Sequence, residues 1–507
     1  QDFDLVSIPE ASGGVINTAG SNNVQINKWP FCRAGQALWI YLTGTLDLLL
    51  RPGREVTPAE FSAGKTLDQI PRTYLDQLKH GDVVTVKAYA SLDGTGEINS
   101  AVSFKEVSYA VSALNLRFVN TPYSVGPDGT LNNVELILGS DSRNPSAVVV
   151  TIPTTFSYAD GSTGSKAFLT DENGALAIPG IRAPNAAGSY TFTATSGAHS
   201  ATAEVTVKSL LPAGSIINLR RGPSWLAFLP NNLYFYASLS AVGAIVKIDS
   251  SSGEVLKEID MGTTVRAIYC SIDGKKLYIP AGNSIIVVDT TDDKITNRIP
   301  VNGISANHTL DLSPDGKYIF TMSQQYIINS ANVLRISTAS ETFDRAYRMG
   351  NVYTNYALCS ADSTSFYTMD YEMYGYVYRY NIESGARTHV YTTGSYGNNM
   401  ILSPDRSILY INNWAAGSRS TIIALPNLQA KSFSINIGFA YCMSGNRQNT
   451  RLISVSDTTR LLMDTVSGAI TRRFTIAGRG LSIFSPDDQT IYHCEEGESR
   501  ISITAAP

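Results

Sequence analysis

Short runs in which apolar and polar residues alternate make up most of this chain, and turn residues separate the runs. "ALWIYLTG" at 37–44 and "AGSYTFTATSG" at 187–197 are two examples. A period of two residues is typical of β-strands, because successive side chains point to opposite faces of a sheet. A helical pattern occurs at 57–81, but Pro71 divides it, so we predict one short helix at 72–79. The pattern as a whole predicts an all-β protein.

A turn of the type Ser-Pro-Asp-Gly recurs through the later part of the chain, as in "LSPDGKYIF" at 312–320. Proline presets φ in such a turn, and Asp and Gly tolerate the geometry that follows. Related turns follow one another at intervals of 41 to 47 residues. Their equivalent positions are Leu229, Ser271, Ser313, Ser360, Ser403, Ser444 and Ser485. A period of about 40 to 45 residues with several short strands predicts a propeller, here with seven blades.

A second turn precedes the last strand of most repeats, as in "VKIDSSSGEV" at 246–255 and "VVDTTDDKI" at 287–295. The two turns give four strands per repeat. The last repeat is one strand short, because the chain stops soon after "RISITAA" at 500–506. We expect "GSIINLRRG" at 214–222 to supply the missing outer strand, which would close the ring and leave no exposed sheet edge.

Three domains are expected from this organisation. Residues 1–111 and 112–209 each hold several short strands with turn signals between them, which predicts two β-sandwiches. "SLLPAG" at 209–214 is a short linker, and residues 210–507 hold the repeats. We therefore expect two sandwich domains followed by a seven-bladed β-propeller.

The repeat resembles a known family in its order of strand, "SPDG", strand, "VVDT" and strand. Over 214–507 it is similar to the YVTN-type propeller repeat of bacteria. "TDENGALAI" at 170–178 and "GSYTFTATSG" at 188–197 resemble the bacterial immunoglobulin-like (Ig-like) domains of invasin- and intimin-type proteins. The first domain is similar to the sandwich modules of large bacterial exoproteins. These resemblances imply an Ig-like stalk, a propeller head and a bacterial surface or secreted protein.

Composition agrees with an extracellular location. The chain has 39 basic and 43 acidic residues, a net charge of −4, which argues against a dedicated nucleic-acid surface. Charged residues are only 16% of the chain, whereas Gly, Ser, Thr, Asn and Tyr are plentiful. No apolar run reaches the roughly 18 residues of a membrane span. The five cysteines do not form a disulfide framework, and we interpret them as small buried hydrophobic residues.

The sequence holds no motif that indicates catalysis. The five histidines are scattered without the spacing of metal ligands, and no Gly-x-Ser-x-Gly elbow occurs. Acidic residues follow the turn serines in five repeats, and their repetition favours a role in the turns over a role in a site. They are Asp273, Asp315, Asp362, Asp405 and Asp487. We expect a protein that is not an enzyme and that needs no cofactor or metal.

Aromatic residues are frequent in the loops expected on one face of the propeller. These are the loops that lead into each blade and those between its second and third strands. The candidate ligand-binding residues are Trp225, Tyr326, Tyr353, Tyr371, Tyr374, Tyr396, Trp414 and Arg419. Loops on a rigid scaffold concentrate binding residues, and aromatic rings beside Arg and amide groups suit sugar rings or a protein hot spot.

The leading hypothesis is an adhesion or binding protein whose propeller head takes a glycan or a cell-surface protein. One alternative is a lactonase-like hydrolase acting in the propeller pocket. That activity would need Arg266, His308 and Arg479, all in loops leading into blades, to converge beside an acid. Another alternative is a structural subunit of a larger extracellular assembly.

Overall fold

Strands predominate and helices are few among the described residues of this computed structural model, so the all-β class is confirmed. Among the described residues, α-helix occurs at Pro58–Ala63 and Arg72–Leu75, and 3-10 helix at Ile98–Ser100 and Ser240–Val242. None of the described helices has the length and hydrophobicity to cross a membrane. The structure describes all residues except 1–4, 19–20, 76, 79–80, 95, 113–115, 140–144, 197–198, 302–303, 305–308, 324–331, 350–355, 370–374, 394–396, 414–420, 431–440, 457, 477 and 507.

The chain forms two compact units. The first comprises residues 1–123, 133–181 and 190–205. The second comprises residues 124–132, 182–189 and 206–507. The expected division into domains at 1–111, 112–209 and 210–507 is finer than these two units, and it stays a prediction.

Residues 5–207 hold several sheets, and two of their strands, Ala37–Gly44 and Gly188–Ser196, coincide with the alternating runs at 37–44 and 187–197. In spatial order, one contains Val6–Ser7, Asn23–Asn27 and Lys65–Gln69. Another contains Val15–Asn17, Val107–Ser112, Val83–Ala90, Ala37–Gly44 and Leu48–Glu55, with Val102–Ser103 paired to Val83–Ala90. A third sheet contains Leu116–Val119, Val134–Leu138 and Ala175–Ile178. A fourth contains Tyr123–Val125, His199–Val207, Gly188–Ser196, Ala147–Thr151 and Ser165–Leu169, and a two-stranded sheet pairs Thr130–Leu131 with Ile181–Arg182.

The helix Pro58–Ala63 was not predicted, although its signals are local. Thr57 caps it: the Glu60 amide donates to the Thr57 hydroxyl at 3.2 Å, and the Thr57 amide donates to the Glu60 carboxylate at 2.8 Å. The buried Arg51 guanidinium donates to the same carboxylate and is the main cause that lowers the pKa of Glu60 to about 2. The helix is thereby fixed to the strand that carries Arg51. The helix predicted at 72–79 is described only over Arg72–Leu75.

The second unit contains, within the described residues, seven antiparallel sheets of four strands, numbered here in chain order. The first sheet consists of Trp225–Phe228, Tyr234–Leu239, Ala244–Asp249 and Val255–Asp260. The second consists of Tyr269–Cys270, Lys276–Ala281, Ser284–Asp289 and Lys294–Pro300. The third consists of Leu310–Leu312, Tyr318–Ser323, Asn332–Ser337 and Thr342–Arg348. The fourth consists of Ala357–Cys359, Ser365–Met369, Tyr376–Asn381 and Arg387–Thr392. The fifth consists of Gly397–Leu402, Ile408–Asn413, Thr421–Ala424 and Gln429–Ala430. The sixth consists of Cys442–Gly445, Arg451–Val455, Thr459–Asp464 and Ile470–Thr475. The seventh is Ser482–Phe484, Thr490–Glu495, Arg500–Ala505 and Ile216–Asn218.

The seventh sheet joins two distant parts of the chain. Ile216–Asn218 pairs antiparallel with Arg500–Ala505, with Ile217 opposite Ile501. The pairing expected between 214–222 and 500–506 is therefore observed. The buried side chain of Ile217 packs in a cluster that holds residues of both the first and the seventh sheets.

Clusters of buried apolar side chains connect the sheets of the second unit. One cluster holds Tyr236 of the first sheet and Ile286 of the second. Five other clusters each hold residues of two consecutive sheets: the second and third, the third and fourth, the fourth and fifth, the fifth and sixth, and the sixth and seventh. A further cluster contains Phe235 of the first sheet and Tyr492 of the seventh, whose rings lie 5.6 Å apart. Every sheet thus shares a described core with two others.

In five of the seven sheets, the turn after the first strand has the same hydrogen-bond pattern, which explains the repeated serine and aspartate. The Ser313 hydroxyl donates to the Asp315 carboxylate at 2.6 Å, and that carboxylate accepts the Lys317 amide at 3.1 Å. The Ser313 hydroxyl also accepts the Tyr318 amide at 2.9 Å. The same bonds recur at Asp273, Asp362, Asp405 and Asp487. The prediction that these aspartates serve the turns is confirmed.

Candidate functional site

A cavity of about 590 Å³ lies within the second unit, and the first strand of each of its seven sheets contributes to the wall. First strands are short, and the residues just before and after them also reach the cavity. The described lining residues are 224–226, 266–267, 269, 309–311, 356, 358, 399–404, 406, 441–444, 479, 481 and 483. A volume of this size falls within the range of about 300–1,000 Å³ that is typical of sites for small ligands.

Aromatic rings form part of the wall. Trp225 and Tyr269, from the first and second sheets, have ring centres 5.9 Å apart. Tyr356 and Tyr441 come from the residues that lead into the fourth and sixth sheets. The Asn399 side chain donates to the Tyr441 carbonyl at 2.9 Å, which ties the fifth sheet to the sixth beside the ring. Such rings offer flat apolar faces with polar groups at their edges.

One ion pair crosses between sheets at the end of the cavity that the turns form. The Arg406 guanidinium donates to both carboxylate oxygens of Asp311, at 2.7 and 2.8 Å. It also donates to the carbonyls of Leu312 and Cys359, while the same carboxylate accepts the Cys359 amide at 2.6 Å. Third, fourth and fifth sheets are thus joined by one guanidinium. Because both charges are paired and hydrogen-bonded, this pair serves the framework of the cavity.

Two more arginines line the cavity near the starts of the first strands. Arg266 leads into the second sheet and Arg479 into the seventh. The guanidinium carbon of Arg479 lies 4.2 Å from the ring centre of Tyr441. Arg266 makes no ion pair with any residue that the structure describes. Burial raises the pKa of the neighbouring Cys442 to about 12, and the charge of Arg266 acts against that rise.

Most of the predicted ligand-binding residues lie outside the described residues. These are Tyr326, Tyr353, Tyr371, Tyr374, Tyr396, Trp414 and Arg419. Trp225 is described: it is the first residue of its strand and lines the cavity. Of the three residues of the hydrolase alternative, Arg266 and Arg479 line this same cavity, whereas His308 lies outside the described residues.

The described residues include no cluster of three or more His, Cys, Asp and Glu side chains that would hold a metal ion. All five cysteines are free thiols; Cys32, Cys359 and Cys494 are buried, as interpreted from the sequence, whereas Cys270 and Cys442 are partly exposed. His493 is fully buried in the seventh sheet, where its ring nitrogens lie 3.0 Å from the Ser482 hydroxyl and 2.9 Å from the Thr504 hydroxyl. Because both ring nitrogens lie within hydrogen-bond distance of these hydroxyls, we assign His493 a structural role.

Sequence patterns did not single out Arg460, which is fully buried beside the cavity wall. Its guanidinium donates to the carbonyls of Gly478 and Gly480, at 2.8 and 3.3 Å, and to the Ser482 hydroxyl at 3.2 Å. It thus holds the residues on both sides of Arg479. An arginine inside the apolar strand Thr459–Asp464 was the available signal, since a buried charge requires partners.

Comparison with known proteins bears on the fold. No protein-family model matches the sequence, and a comparison with curated proteins finds no match. Among solved structures, one similar chain is hydrazine synthase of Kuenenia stuttgartiensis, with a TM-score of 0.50 and 16% sequence identity. The alignment covers 58% of this chain and 99% of the other. At this identity the likeness supports a β-propeller in general terms, and no activity is carried over from it.

Proposed function

We propose that this protein is a bacterial surface or secreted binding protein, with an Ig-like stalk and a closed seven-bladed propeller head of the YVTN type. The blade number is supported by the seven four-stranded sheets and by the apolar clusters that connect them. The stalk is supported by the sheets of residues 5–207 and by the sequence resemblance of residues 112–209 to bacterial Ig-like domains. Location outside the cell follows from the same resemblance.

The observation that carries the proposal is the cavity enclosed by all seven first strands, with aromatic and arginine side chains in its wall. Asp311 is the one carboxylate among the described lining residues, and its hydrogen bonds to Arg406 keep it from acting in proton transfer. Rings with edge polar groups suit the faces of sugars, and arginine suits their oxygen atoms. The ligand proposed for the head is therefore a glycan or the glycan-bearing surface of another cell's protein.

A glycan array probed with the labelled full-length chain tests this function. We expect selective binding that Trp225→Ala weakens, because Trp225 supplies a ring to the cavity wall. Phe343→Ala is the matched control, since Phe343 is an exposed aromatic residue on an outer strand of the third sheet. Equal loss in both variants, or no binding to any glycan or glycoprotein, would count against the proposal.

Lactonase-like hydrolysis is a second candidate, favoured by the presence of Arg266 and Arg479 in one cavity. In such a reaction water adds to the ring carbonyl and the ring C–O bond breaks, which gives a hydroxy acid. Release of acid from γ- and δ-lactones, followed by pH indicator, tests it. Turnover that Arg266→Gln abolishes would support hydrolysis, and its absence from the wild-type chain would exclude it for these lactones.

A further inference from the structure

We propose that the cavity is selective for sugars that carry an anionic group, and that Arg266 and Arg479 bind this group. The inference rests on the proposed binding function and adds the chemical class of the ligand. It concerns the end of the cavity at the starts of the first strands, where both arginines lie.

Charge is the first argument. The charged residues in the described wall are Arg266, Arg406, Arg479 and Asp311. Asp311 is engaged by Arg406, so its charge does not offset the other two arginines. Glu496 lies near Arg479: it accepts the Ser224 hydroxyl at 2.6 Å and the Arg479 amide at 3.3 Å. Even with Glu496 included, the described residues of the wall carry an excess of positive charge, in a protein whose net charge is −4.

Position is the second argument. The guanidinium carbon of Arg479 lies 4.2 Å from the ring centre of Tyr441. Arg266 lines the same cavity, and each of the two arginines lies three residues ahead of a first strand. Both guanidinium groups therefore belong to the same end of the cavity. Guanidinium groups bind carboxylate and phosphate with paired, charge-assisted hydrogen bonds, which are stronger inside a partly enclosed cavity than in water.

Preorganisation is the third argument. Arg479 lies between Gly478 and Gly480, and Arg460 binds the carbonyls of both glycines. A side chain at Gly480 would not fit, because a β-carbon there would lie 2.5 Å from the β-carbon of Cys494. Gly478 has a φ of +89°, which favours glycine. The backbone that carries Arg479 is thus held on both sides, as a binding group requires.

Calorimetry on the full-length chain tests the inference with D-glucuronate, glucose 6-phosphate and neutral D-glucose as probes. We expect one of the two anionic sugars to bind at least about tenfold more tightly than glucose, and binding to weaken as salt is raised. The stronger of the two identifies carboxylate or phosphate as the anionic group. Arg266→Gln and Arg479→Gln should each reduce the preference to near unity. Arg473→Gln, an exposed change on an outer strand of the sixth sheet, should leave it intact.

The outcomes separate this inference from the proposed function. Binding of all three sugars with equal affinity, or a preference that survives Arg266→Gln, would overturn the anionic selectivity and leave a glycan-binding head. No response to these sugars, with an array signal confined to neutral glycans, would overturn it in the same way. No binding to any glycan or glycoprotein would remove the proposed function itself.

Discussion

At the scale of single residues, one serine and one aspartate fix five of the seven repeated turns. The serine hydroxyl and the carboxylate satisfy each other and two amides within a span of six residues, as at Ser403 and Asp405. Burial raises the pKa of Asp405, but the hydrogen bonds from Ser403 and Ser407 outweigh it and lower the pKa to about 2. The carboxylate is therefore charged throughout the physiological range, as its acceptor role requires.

Asp315→Ala should destabilise the second unit by about 1–2 kcal/mol, because the Ser313 hydroxyl and the Lys317 amide lose their acceptor. Urea unfolding followed by far-UV circular dichroism measures the change. Asp292→Ala is the control: this aspartate is exposed and pairs with the exposed Lys294 in its own turn, so little change is expected. Similar losses in both variants would contradict the role assigned to the turn carboxylates.

His493 should make stability depend on pH. Burial, aided by the charges of Arg460 and Arg472, lowers its pKa to about 3. In the unfolded chain the pKa returns to about 6.5, so between these values the unfolded state binds the extra proton. Stability should therefore fall as pH falls from about 6.5 to about 3, by at most about 1.4 kcal/mol per pH unit from this residue.

The measurement is the free energy of unfolding of the wild type and of His493→Gln between pH 7 and pH 4. We expect the advantage of the wild type to shrink steadily with acidification, because glutamine does not titrate. Carboxylates contribute equally to both proteins and cancel in the difference. A difference that stays constant with pH would show that His493 is not held neutral.

At the scale of elements, the segment that leads into the seventh sheet depends on a side chain of the sixth. Arg460 donates to the carbonyls of Ser456 and Ile476 as well as to those beside Arg479. All the hydrogen bonds described for the Arg460 guanidinium go to neutral acceptors, and none goes to a carboxylate. The strand Thr459–Asp464 and the segment 476–480 are therefore linked by one side chain, and a change in either would alter the cavity wall.

Arg460→Met should cost about 2–3 kcal/mol, because it fills the space but leaves buried carbonyls without donors. It should also reduce the preference for an anionic sugar over glucose, since Arg479 loses its support. Arg460→Lys should restore part of that preference. If Arg460→Met lowers the unfolding midpoint but keeps the full preference in folded protein, Arg460 has a purely structural role.

Sequence-based prediction succeeded for elements whose signals are local. The turns were predictable because the serine, the aspartate and the amides they bind lie within a few residues of one another. The helix Pro58–Ala63 also had a local signal, in Thr57 and Glu60, which the alternating strands around it obscured. Arg406 and Asp311 lie 95 residues apart, so no local pattern indicates their ion pair. The candidate site shows the same limit. The sequence placed Arg266 and Arg479 in loops leading into blades, as residues that the hydrolase alternative would need in one pocket, and it gave no indication of Arg460.

At the scale of the whole molecule, the second unit depends on contacts between the start and the end of its chain segment. Ile217 is 4% exposed and packs with residues of the first and seventh sheets, whereas Ile216 on the same strand is 53% exposed. Burial of one side chain thus contributes to the packing of two sheets that are far apart in sequence. Non-local packing of this kind makes unfolding cooperative.

Ile217→Ala should destabilise the second unit by about 2–5 kcal/mol, the range for truncating a buried isoleucine. Ile216→Ala should change stability by less than about 0.5 kcal/mol. Hydrogen exchange should show faster opening of both the first and the seventh sheets in Ile217→Ala. Faster exchange confined to residues 214–222 would mean that the strand is an independent appendage.

The ladder between Ile216–Asn218 and Arg500–Ala505 also has a mechanical consequence. Tension along residues 206–218 acts first on the hydrogen bond from the Leu211 amide to the Ser250 carbonyl, just after the third strand of the first sheet. It then acts on this ladder, which has three residue pairs and is flanked by backbone hydrogen bonds from Gly214 to Ile503 and from Leu219 to Ser499. A pull from this side is therefore borne by a few backbone hydrogen bonds and the buried Ile217 side chain before it reaches the larger apolar clusters behind them.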